Sequence, residues 1–69
     1  MEITFELPDR SCRTMEMPLG LRTPCIGEYV AGIPRTAPGT NFIVVDVVQD
    51  FGRMYEGRDE EPFVYVKLH

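Results

Sequence analysis

Asn41-Phe42-Ile43-Val44-Val45-Asp46-Val47-Val48 is filled with β-branched residues and is largely apolar at both of its alternating sets of positions. A strand that faces water on one side alternates apolar with polar residues. Here Ile43, Val45 and Val47 fall on one face and Phe42, Val44 and Val48 on the other. The first set is expected to line a core. The second then needs cover of its own, either from the far wall of a small barrel or from another protein chain.

The flanking segments extend the same pattern. Ile3, Phe5 and Leu7 alternate strictly with Glu2, Thr4 and Glu6, the signature of a half-buried strand that Pro8-Asp9 ends. Near the other terminus Val64, Val66 and Leu68 share one face, while Phe63, Tyr65 and Lys67 share a second that is not plainly polar. Residues 26–31 resume strand character after Pro24, with Gly27 permitting a bend or bulge. Pro38-Gly39 reads as a type II turn leading into the central strand. The expected core is Ile3, Phe5, Leu7, Ile26, Val30, Ile43, Val45, Val47, Val64, Val66 and Leu68, with Cys25 as a small apolar member.

Between the first two strand-like segments, residues 10–24 follow neither period and contain Pro18, Gly20 and Pro24. A connector this long in a compact domain is usually functional or mobile. Its apolar set Met15, Met17, Leu19 and Leu21 is expected to pack down as a lid over an open barrel end, the alternatives being an irregular strand or an exposed contact surface. Residues 50–62 read as a long polar loop with a charged 56–61 run, and a single helical turn fits only near 51–55. Elsewhere Pro and Gly interrupt every helical window.

Sixty-nine residues make one small domain, residues 1–69. The formal charge of -4 argues against a chain whose main task is to neutralise phosphate. Charge is uneven: residues 8–40 carry four arginines against Asp9, Glu16 and Glu28, a net +1, while residues 41–69 carry three cations against six acids, a net -3. Six of the seven cations are arginine, all in segments read as loops. Met1 leads directly into a strand-like segment, without the charged start and apolar run of a secretory signal, and no stretch is long enough to span a membrane. The expectation is a cytoplasmic protein with Cys12 and Cys25 as free thiols.

The segment Pro24-Cys25-Ile26-Gly27-Glu28-Tyr29-Val30, the Phe42-x-Val44-x-x-Val47 strand and the closing Val64-x-Val66-x-Leu68 strand together resemble the layout of small SH3-like barrels, of the kind found in short phage and prophage proteins. The resemblance covers roughly residues 24–68. It implies an all-β fold: a small, strongly bent, four- to five-stranded antiparallel SH3-like barrel with long loops. Trp and the paired-aromatic loop of peptide-binding SH3 domains are missing, so no proline-rich ligand is implied.

Catalytic chemistry finds no foothold. The one histidine is the last residue, His69, and no internal histidine could serve either cysteine as a base. Cys12, Cys25 and His69 lack the close pair spacing of a zinc site, and Pro18-Leu19-Gly20-Leu21 has neither the glycines nor the lysine of a phosphate loop. No cofactor or metal is expected. Protein contact explains more: if the central and last strands pair, Phe42, Val44, Val48, Phe63 and Tyr65 form one patch, with Arg53 and Tyr55 as further anchors. A non-enzymatic protein–protein interaction module is therefore expected, a homodimer or an adaptor or inhibitor of a larger protein. The alternative is a nucleic-acid-associated barrel that stacks bases on Tyr29, Phe42, Phe63 and Tyr65 beside Arg35 and Lys67, which the overall charge disfavours.

Overall fold

The computed structural model describes residues 1–51 and 62–69 and shows an all-β chain. Its five strands are β1 (Glu2–Glu6), β2 (Cys12–Glu16), β3 (Tyr29–Ala31), β4 (Asn41–Asp50) and β5 (Phe63–Leu68). They form one sheet in the order β2-β1-β5-β4-β3. No helix occurs among the described residues, and none is therefore long and apolar enough to cross a membrane.

The sheet is mixed, which corrects the antiparallel barrel expected from sequence. β1 and β5 run parallel, with Ile3 opposite Val64 and Phe5 opposite Val66, while the other three pairings are antiparallel. The first and last strands thus meet at the centre of the sheet. The reason lies in their matched alternation: in this register the inward Ile3 and Phe5 of β1 meet the inward Val64 and Val66 of β5, and a one-residue slip of either strand would turn its apolar set to water.

The sheet curls into a half-barrel around Ile3, Phe5, Leu7, Ile33, Val44, Val64, Val66 and Leu68, with Met15, Met17, Val30, Phe42 and Val47 packed against them. Curling brings the edge strand β2 towards the turn after β3, where Arg13 Nε donates to the Pro34 carbonyl at 3.1 Å. Arg13 therefore belongs to a strand and not to a loop. β2 itself replaces part of the expected lid. Met15 and Met17 are half-buried against the core, but Leu19 and Leu21 turn outward, so the apolar set splits.

Turn chemistry follows the sequence closely. The β1–β2 hairpin turns through Pro8, Asp9 and Arg10, with Arg10 at φ 70° and the Asp9 carboxylate accepting the Ser11 N–H. The Ser11 hydroxyl and N–H together lower the Asp9 pKa. At Pro38-Gly39 the Thr40 N–H donates to the Ala37 carbonyl at 3.1 Å and Gly39 takes φ 82°, the geometry of a type II turn.

The central strand departs from simple alternation. Val44 lies opposite Leu68 and Asp46 opposite Lys67, so β4 advances two residues while β5 advances one. Val45 is the extra residue of a β-bulge. Before the bulge the even positions Phe42 and Val44 face the core; after it, the odd position Val47 does. The expected assignments of residues 42–45 are thereby reversed: Phe42 and Val44 face the core, Val44 at 1% exposure, while Ile43 and Val45, expected in the core, lie on the outer face, Val45 at 43%. Ile43 shares the outer face in register with Tyr29. Ile26 and Cys25, expected in the core, are exposed, and their place is taken by Ile33, which the Gly32-Ile33-Pro34 bend tucks inward.

Candidate interaction surface

The strand registers lay out the outer face row by row. Tyr29 lies beside Ile43, and Ile43 exchanges both backbone hydrogen bonds with His69. The next row runs Asp46, Lys67, Glu6, Cys12; the next Val48, Tyr65, Thr4, Thr14; the last Asp50, Phe63, Glu2, Glu16. The face therefore divides. Over β1 and β2 it is polar and acidic, with Thr4 and Thr14 hydroxyls bonded at 2.9 Å. Over β3 and the start of β4 it carries Tyr29, Ile43 and Val45, which the exposed Asp46 separates from Val48; Tyr29 is 74% and Val48 51% exposed.

Tyr65 marks the border. Its hydroxyl lies 3.9 Å from Cys12 Sγ, two strands away, so the ring lies down across β1 and covers part of the polar half. Burial first, then the Cys12 thiol and the Glu6 carboxylate, push the phenol up to about 12. Cys12 is a free, exposed thiol beside it.

The patch expected from sequence is thus only partly assembled. Val48, Phe63 and Tyr65 do share the outer face, with Phe63 and Tyr65 half-buried. Phe42 and Val44 are on the inner face, packed in the core, and cannot contribute. Arg53 and Tyr55 lie outside the described residues, as does the 56–61 acidic run. Sequence reasoning placed Ile43 and Val45 in the core and Tyr29 only in the nucleic-acid alternative, so all three were left out of the protein-contact patch. A signal existed: Asp46 interrupts the apolar series 42, 44, 48, and a polar residue at that position marks a change of phase between Val44 and Val47.

A second feature lies where the half-barrel stays open. Between β2 and β3 runs a cavity of about 230 Å³, floored by Ile3, Phe5, Met15, Met17, Val30 and Ile33. One wall is the loop carrying Leu21 and Arg22. That loop is clasped to the sheet by Glu28, whose carboxylate takes both terminal nitrogens of Arg22 (Nη1 at 2.7 Å) and the Cys25 N–H at 2.6 Å. The Arg22 guanidinium, then the Cys25 N–H, hold the Glu28 carboxyl down at about 2, and the same pairing raises Arg22. Glu28 is itself fixed to β4, its carbonyl accepting the Val44 N–H at 2.9 Å.

Comparison of the chain with protein-family models, with curated proteins and with solved structures gives no match.

Proposed function

We propose that this chain is a non-enzymatic protein–protein interaction module, a small SH3-like barrel of the kind found in short phage and prophage proteins. It acts in the cytoplasm through the apolar half of its outer face, as a homodimer or as an adaptor or inhibitor of a larger protein. The observation that supports this most is the exposure of Tyr29, Val45 and Val48 on one face of β3 and β4, with the half-buried Ile43 beside them. Large apolar side chains clustered in the open on one sheet face are a common mark of an interface. Tyr29 and the aliphatic residues beside it suit the aromatic-enriched centre of such a contact, with Asp46 and Lys67 as polar groups next to it. The nucleic-acid reading has less support, because the cation Lys67 on this face sits between Asp46 and Glu6.

Sedimentation from low to high micromolar protein, with and without Val45→Asp, tests the proposal together with capture from the native host. Val45 is half exposed, so the substitution leaves the fold intact while placing a charge on that face. The expected result is a dimer, or a captured protein, that Val45→Asp removes. A monomer at every concentration and a capture profile indifferent to Val45→Asp would refute it.

A further inference from the structure

We infer that the outer face of the sheet takes a basic amphipathic helix of another protein, laid along β5 with its apolar side over β4 and its cations over β1. The inference rests on the interface proposed above and narrows it: the occupant is a basic protein segment and not a second copy of this chain.

The strand registers fix the layout. Val45 and Val48 stand exposed on β4, with Tyr29 beyond them on β3. Glu2 and Glu6 stand on the same face of β1, and Glu16 lies beside Glu2 on β2. Only β5 separates β4 from β1. Neighbouring strands are about 4.8 Å apart, so the apolar and acidic columns run about 10 Å from each other, the width of one helix with its side chains. Between the columns Tyr65 shares a row with Val48 and Thr4, and its ring lies down towards Cys12. A ring in that posture leaves the space above β5 open and offers its face to a cation.

Charge selects the occupant. Glu2, Glu6, Glu16 and Asp46 share this face with Lys67 and with the Met1 ammonium, which pairs with Glu16 at 3.1 Å. Four acids thus stand against two cations, a net of -2 before Asp50 at the end of β4 is counted. Neither Glu2 nor Glu6 has an ion-pair partner among the described residues. A second copy cannot supply what is missing. Placed face to face about a two-fold axis in the plane of the sheet, it sets Glu2 and Glu6 either against their own equivalents, where like charges repel, or against the valines of β4, where carboxylates are buried unpaired. A helix with one apolar and one basic side answers both columns at once, and its charge would also speed the encounter.

The probe is a blocked helical peptide of two Leu-Lys-Lys-Leu-Leu-Lys-Leu heptads, compared with the same peptide carrying Glu for Lys, titrated into isotope-labelled protein and followed by NMR at low and at raised salt. The expected result is a shift of the Val45 and Val48 methyls and the Tyr29 ring, with the Lys peptide at least about tenfold tighter and weakening as salt rises. The double variant Glu2→Gln, Glu6→Gln, its fold checked by circular dichroism, is expected to bind the Lys peptide about tenfold more weakly. Equal binding of the two peptides, binding indifferent to the double variant, shifts confined to the Met15 and Met17 methyls, or no binding would each overturn the inference. A homodimer that Val45→Asp dissolves would uphold an interface on this face while refuting this occupant, so the two failures are told apart.

Discussion

Truncating Val44 and Val45 separately to alanine asks directly which of two adjacent valines is core. Each change deletes two methyl groups, worth about 0.8 kcal/mol apiece in transfer free energy when fully buried. Val44 is 1% exposed, so it loses about 1.6 kcal/mol in transfer and, for the roughly 50 Å³ left empty at about 24 cal/mol per Å³, about 1.2 kcal/mol more. The expected cost is about 2 to 3 kcal/mol. Val45 is 43% exposed and leaves no enclosed void, so its cost stays below about 1 kcal/mol. For a chain of 69 residues, whose total stability is of the order of 3 to 10 kcal/mol, the first loss is large. Urea unfolding followed by far-UV circular dichroism suits a protein without Trp. With a slope of about 1 kcal/mol per molar urea, the Val44→Ala midpoint should fall about 2 M or more, and the Val45→Ala midpoint by under 1 M. Unbroken alternation inward from Val47 demands the reverse order. A greater loss for Val45→Ala than for Val44→Ala would remove the bulge from the fold and return Phe42 and Val44 to the outside.

Gly39→Ala should cost about 1 kcal/mol by thermal melt, since φ 82° at this turn position places a Cβ in the left-handed region even though the surrounding space is open. The clasp should show in acid. Because Glu28 is held at about 2, below its ordinary 4.5, its contribution is fully present above pH 4.5 and is lost as the pH falls through about 2. Urea midpoints measured from neutral pH down to pH 2 should decline less steeply in Glu28→Gln than in the parent; an unchanged profile would mean that the clasp does not hold the loop.

How far the chain could be read depended on whether polar residues punctuated the apolar ones. In β1, Glu2, Thr4 and Glu6 mark the outer face at every step, and the inward set Ile3, Phe5 and Leu7 is where alternation puts it. The inward side of β5 and the Pro38-Gly39 turn were legible for the same reason: each has a local chemical cause. β4 was legible as a strand with apolar residues on both faces, but not in which valine faces which way, because swapping Val44 for Val45 changes nothing in composition and the bulge declares itself only through Asp46. β2 was hidden by its content, since Cys12, Arg13 and Thr14 carry no period and Arg13 turns inward to reach the Pro34 carbonyl.

By itself, then, the order of residues determined the all-β class, four of the five strands, the Pro38-Gly39 turn and the presence of apolar residues on both faces of the central strand. These are properties of neighbours in the chain, set by backbone sterics and a period of two. Only the tertiary structure decided that β1 and β5 pair in parallel, that the phase of β4 shifts at Val45, and that the curled sheet leaves a seam between β2 and β3. Each of these depends on a register between segments far apart in sequence, and a register is selected by the packing of both partners at once, which neither segment encodes alone.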